Sequence, residues 1–179
     1  EIFRIIDRLR EDDGLMRALL DVNVLIALLD ADHSLHGPAT HWFAAHAAAG
    51  WASSPITQNG CVRVMSGLGY PNPLPVSAVV ERLIEATSHK LHEFWPDEVS
   101  LLDAPVLDAS RVHGPRQVTD VYLLALAVSR RGRLVTFDRS IPIDAIPKAQ
   151  ARNLVVIEIR LARPRRSPDW ALIEVSRPA

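Results

Sequence analysis

Two kinds of apolar pattern alternate along the chain. Short blocks rich in apolar and β-favouring residues occur at "RALLD" (17–21), "WASSP" (51–55), "HEFWP" (92–96), "RLVTFD" (133–138) and "NLVVIEI" (153–159). The last two are apolar on both faces, as strands covered by helices on each side must be. Between the blocks lie longer runs with helical spacing: "NVLIALLDAD" after Asp21, the alanine-rich "HGPATHWFAAHAAAG" (36–50) closed by Gly50, "ITQNGCVRVMS" (56–66), a stretch over 76–89 with Pro75 in its first turn, and Thr119 to Gly132. "GLGYPNPLP" (67–75) is turn chemistry throughout, and "LLDAPVLDASRVH" (101–113) predicts a brief strand or turn followed by a helix. Strands alternating with helices imply an α/β fold, a parallel sheet with helices on both faces.

The ends differ from this pattern. Residues 1–15 place Ile2, Ile5, Ile6 and Leu9 on one helical face among mostly acidic charges, and residues 160–179 carry five arginines against Asp169 and Glu174. We read a central domain over 16–159, an amphipathic N-terminal extension over 1–15 and a basic C-terminal extension over 160–179.

Composition narrows the function. The net charge of −1 offers no global positive field for nucleic acid or membrane, so any such contact must be local. Cys61 is the only cysteine, which removes disulfide frameworks and thiolate zinc sites and suits a reducing compartment. No apolar run approaches the ~20 residues that span a bilayer. The expectation is a cytoplasmic protein without membrane contact.

The candidate chemistry lies in aspartates. A helix from Thr119 that turns tightly into the strand at 134 runs antiparallel to it, which brings Asp120 near Asp138. Asp21 ends the first strand in the same manner, and parallel strands end at the same sheet edge, where open α/β sheets place their ligands. Carboxylates so close repel unless a proton or a cation lies between them. A hard oxygen-seeking cation such as Mg²⁺ or Mn²⁺ meets that need. Taken singly, each aspartate is equally a helix cap or turn residue. No phosphate-binding glycine loop and no nucleophilic serine motif competes with this reading.

These segments resemble PIN-domain ribonucleases of the VapC toxin type. "LLDVNVLIALLDADH" is similar to that family's opening strand and helix, "SPITQNGCVRVMS" to its second block, and "RQVTDVYLLALAVSRRGRLVTFDRSI" to its third and fourth. The resemblance implies a three-layer α/β/α sandwich around a central parallel sheet. It also implies a Mg²⁺-dependent endoribonuclease, with Mn²⁺ able to substitute, that cleaves RNA to inhibit translation as the toxin of a type II toxin–antitoxin system.

Asp21, Asp120 and Asp138 fall on three of the family's four acidic positions, as metal ligands and catalytic residues. The fourth is Gln58 where a glutamate is usual, which removes one negative charge and leaves open a non-catalytic scaffold that binds RNA or protein. Asn23 and Thr136 are expected beside the metal ligands, and Arg116 and Arg139 are weaker RNA-binding candidates. The resemblance further implies a VapB-type antitoxin, a transfer or ribosomal RNA substrate and a homodimer paired through the helices over 56–66 and 76–89. The two extensions are then antitoxin-like elements or additions of other origin.

Overall fold

The computed structural model describes residues 16–159. Five strands, β1 (Ala18–Leu20), β2 (Trp51–Ser53), β3 (His92–Phe94), β4 (Arg133–Thr136) and β5 (Leu154–Val156), form one sheet in the order β3-β2-β1-β4-β5, every neighbouring pair parallel. The α-helices are α1 (Val22–Leu29), α2 (His36–His46), α3 (Pro55–Met65), α4 (Val76–Thr87) and α5 (Val118–Ser129).

The chain steps from β1 outward to β3, then returns across the sheet to β4 and β5. Right-handed crossovers in opposite directions put their helices on opposite faces. Side-chain alternation along the strands agrees. Leu20, Trp51 and Val135 pack with Val24, Cys61, Val79 and Leu83 of α1, α3 and α4 on one face. Leu19, Ala52 and Leu134 pack with Val121, Leu124 and Trp95 on the α5 face. The expected three-layer sandwich is present.

Local chemistry sets the helix ends. Asp21 accepts from its neighbour Val22 N at 2.6 Å and so caps α1. Ser54 and Thr57 form a reciprocal capping box at α3, with Pro55 in the first turn. Gly60 is where α3 meets α1: a Cβ there would lie 2.5 Å from Val22 Cγ2. At the end of α5, Gly132 N donates to Ala127 O at 2.8 Å and Arg131 N to Val128 O at 3.0 Å. This is the paired bonding of a Schellman motif, with Arg131 at φ 54 in the position glycine usually takes.

Some boundaries differ from the sequence reading. Residues 101–113 form no α-helix, only turns and a 3₁₀ turn at Ala109–Arg111. There Asp108 Oδ1 accepts from Ser110 N at 3.1 Å and Ser110 Oγ at 2.6 Å, local bonds that compete with helix propagation. The helix over 36–50 stops at His46 and continues as a 3₁₀ turn. The block over 153–159 is a strand only at Leu154–Val156, because its partner β4 ends at Thr136. The expectations for 1–15 and 160–179 lie outside the described residues. Among those described, no helix is long and apolar enough to cross a membrane.

Candidate active site

β1 and β4 are adjacent, yet their chains depart to different faces, so a crevice opens at the carboxyl edge between them. Asp21 stands directly after β1 and is 5% exposed. Its N–H donates to Val135 O at 3.0 Å, which locks it to β4. Oδ2 accepts from Thr136 Oγ1 and Asn23 Nδ2, each at 2.7 Å. Asn23 Oδ1 in turn accepts from Phe137 N at 3.1 Å. Asp21 caps α1, and Asn23 ties that cap to the end of β4.

Thr136 also orients Asp138, whose N–H donates to Thr136 Oγ1 at 3.0 Å. Asp138 Oδ1 accepts from Ser140 N at 2.7 Å, holding the turn after β4. Asp120 lies in the first turn of α5, half-buried. Gln117, which sequence reasoning did not single out, bridges the two elements: its Nε2 donates to Ser140 O at 2.8 Å and its Oε1 accepts from His113 N at 2.9 Å.

The three aspartates feel one another. Burial, then the charges of Asp21 and Asp138, raise the Asp120 carboxyl from 3.8 to about 6. Asp21 is also raised, chiefly by burial with a contribution from Asp138, although bonds from Thr136 and Val22 oppose it. Among the described residues no cationic side chain pairs with any of the three. A buried carboxylate without a counter-charge is costly, so this edge has room for a cation.

The available donors are all oxygens, which favours a hard divalent ion. Among the described residues no three acidic, histidine or cysteine side chains are gathered tightly enough to cage an ion by themselves. Mg²⁺ does not require such a cage, since it keeps several waters and completes its shell with phosphate oxygens.

Gln58 lies at the same edge, in α3, within a separate hydrogen-bonded group. Its Nε2 donates to Ser53 Oγ at 2.9 Å, and Ser53 Oγ stands 2.9 Å from His92 Nε2. With the amide donating to Ser53, the hydroxyl proton is left for Nε2 of a neutral imidazole. Burial first of all lowers the His92 pKa and keeps that ring neutral. No described residue bonds Gln58 to the aspartates. Neither Ser53 nor His92 was legible as a partner, since His92 arrives from β3. Arg116 and Arg139 are exposed beside the acidic edge, with no ion pair among the described residues. His36 Nδ1 donates to Ala27 O at 2.8 Å, a packing role between helices.

A parallel sheet between two layers of helices, with three aspartates at its switch point, defines an α/β/α protein with an acidic carboxyl edge. The PIN domain family matches residues 18–148. The chain is 54% identical over 142 residues to Ribonuclease VapC44 of Mycobacterium tuberculosis, spanning 79% of this chain and 100% of that protein. It is 43% identical over 127 residues to Ribonuclease VapC39 (70% of this chain, 91% of that protein) and 41% identical over 125 residues to Ribonuclease VapC38 (69% and 86%), both of the same organism. The chain thus belongs to the PIN domain family, among proteins of the VapC type.

Proposed function

We propose that this chain is a metal-dependent endoribonuclease toxin of a type II toxin–antitoxin system, hydrolysing RNA phosphodiesters at the carboxyl edge. The observation that carries the reading is the convergence of Asp21, Asp120 and Asp138 on one edge with no described cation to balance them. Asp21 and Asp138 would hold Mg²⁺ or Mn²⁺, with Asp120 completing the site. The ion, when bound, lowers the pKa of water and neutralises phosphate charge.

The protein's own groups supply the geometry. Thr136 and Asn23 fix the Asp21 carboxylate, and Ser140 N fixes that of Asp138. Asp120, in the first turn of α5 at the same edge, orients the attacking water through its carboxylate oxygens. Gln58 presents Oε1, a neutral acceptor, as Nε2 is held by Ser53. Arg116 and Arg139 flank the edge as contacts for the RNA backbone.

A VapB-type antitoxin is the partner that restrains the activity, and transfer or ribosomal RNA is the substrate whose loss halts translation. Homodimer formation fits α4, where Val79 and Leu83 are buried but Val76, Val80 and Ile84 expose a second apolar stripe. A single-chain mass in sedimentation equilibrium would overturn that assembly.

The deciding experiment incubates cellular RNA with the purified chain and with Asp138→Asn, with Mn²⁺ or Mg²⁺ and with chelator. Discrete metal-dependent fragments absent from the variant are expected. Intact RNA in every arm would replace this reading with the non-catalytic scaffold that Gln58 suggests.

A further inference from the structure

At the amino edge of the sheet, far from the aspartates, the segments leading into the strands surround a cavity of about 600 Å³. Among the described residues Arg17, Arg130, Arg131, Lys148 and Arg152 line it together with Glu93, and Glu98 pairs with Arg130 beside it. A quarter of the chain's 20 basic residues therefore meet at one cavity of a protein whose net charge is −1. Cavities of this size hold ligands larger than a single phosphate ion.

Two of the arginines are braced. Arg17 Nε pairs with Glu93 at 2.9 Å while its Nη1 donates to Leu91 O at 2.8 Å, and Arg130 Nε pairs with Glu98 at 2.7 Å. Arg131 and Lys148 make no ion pair among the described residues. Attraction to the C-terminal end of α5 explains a basic residue nearby. The Schellman stop accounts for φ 54 at position 131, but neither it nor the dipole accounts for an arginine there in place of the glycine this conformation favours. An arginine kept in that conformation at the cavity wall is an outlier that motivates a role for its side chain.

We propose that this amino-edge cavity binds the phosphate backbone of folded RNA, at a distance from the bond that is cut. Guanidinium forks and a lysine suit phosphate oxygens. The two sites lie at opposite ends of strands as long as four residues, roughly 13 Å of extended chain before any loop is added. A short single strand seated at the aspartates does not reach the cavity, whereas a folded RNA can grip both edges. The naming of RNA as ligand rests on the ribonuclease reading, but its test does not require cleavage.

The test measures dissociation constants in chelator for wild type and for the Arg131→Gly/Lys148→Gln double variant. The probes are folded transfer RNA, a short single-stranded oligoribonucleotide and inorganic tripolyphosphate. The variant should bind folded RNA about tenfold more weakly, with a salt slope shallower by roughly 1.4–1.8 for two lost phosphate contacts. Its affinity for the oligonucleotide should not change. Arg131→Gly alone should raise the melting temperature by about 2 °C, so weaker binding cannot be misfolding. Unchanged affinity for folded RNA overturns the proposal. If tripolyphosphate binding alone is lost, the cavity serves a small polyphosphate and the RNA assignment fails. Folded-RNA binding that depends on this cavity in a chain unable to cleave would separate the inference from the nuclease reading.

Discussion

The two edges of the sheet carry opposite charge, and much of the difference follows from parallel topology. At the carboxyl edge strands pass into helix N-termini, which favour carboxylates: Asp21 caps α1 and Asp120 sits in the first turn of α5. At the amino edge α5 delivers its C-terminal end, which favours the nearby arginines. The informative residues exceed this background. Asp138 belongs to no helix, yet a threonine and a turn hold it at the same crevice. Arg131 takes a backbone conformation that the dipole does not demand. Chemistry is assigned where side chains depart from what the fold alone prefers.

The largest effect is expected at the acidic edge. Asp138→Asn should lower RNA cleavage by ~10²–10⁴-fold, the range for losing a group that acts on charge or proton in the transition state. Folded-RNA binding in chelator should be kept, because Asp138 is remote from the basic cavity. Loss of both together would mean that the edges are not independent sites.

At the basic edge the largest effect is structural. A Cβ on Gly132 would lie 2.5 Å from Trp95 Cη2 and 2.8 Å from Arg17 O. Gly132→Ala must therefore displace a fully packed tryptophan or the strand beside it, destabilising by about 2–3 kcal/mol. For a domain of this size that is about 5–10 °C in melting temperature. Its neighbour Arg131→Gly should move stability the other way. A fall for both would remove the argument that Arg131 is strained.

Much of the acidic edge was legible because its parts are local. A strand end, a helix start and a tight turn between α5 and β4 bring Asp21, Asp120 and Asp138 together once the sheet is parallel. The fold was legible for the same reason, apart from the shorter elements at 36–50 and 153–159 and from 101–113, where Asp108 and Ser110 divert the backbone. The basic edge was only half legible. Arg130, Arg131 and Arg133 stand close together in the sequence at the end of α5. Arg133 is instead buried in β4 with its guanidinium 5.5 Å from the Trp42 ring centre, and Arg17, Lys148 and Arg152 come from elsewhere in the chain to complete the cavity. Cavities made by distant segments leave no local periodicity.

Gln58 allows the acidic edge to be sharpened. Gln58→Glu restores a charge and removes the amide donor, so Ser53 must give its proton to the carboxylate and accept one from His92 Nε2. The His92 pKa should then rise, visible as a move of its NMR titration midpoint to higher pH. The Mn²⁺ concentration needed for half-maximal thermal stabilisation should fall by ~10-fold. An unmoved His92 titration would show that the three side chains are not linked as a chain of hydrogen bonds.

The smallest effect tests whether the aspartates are strained against one another before metal arrives. The Asp120 carboxyl lies at about 6 in the fold and 3.8 when unperturbed. Below 3.8 it is protonated whether folded or unfolded and contributes no penalty. Between 3.8 and 6 the unfolded chain ionises while the fold keeps the proton, so stability falls across that window, and the loss is complete once the group ionises within the fold beside Asp21 and Asp138. The metal-free protein should therefore lose on the order of 1 kcal/mol between pH 4 and pH 7 from this group, a value reduced because the carboxyl is partly solvated. The raised Asp21 acts with the same sign. Asp120→Asn should flatten that part of the pH profile in chelator and raise the melting temperature at neutral pH. A divalent cation should reverse the slope in wild type, since it binds the ionised form. A profile equally steep in Asp120→Asn would place the repulsion elsewhere at this edge.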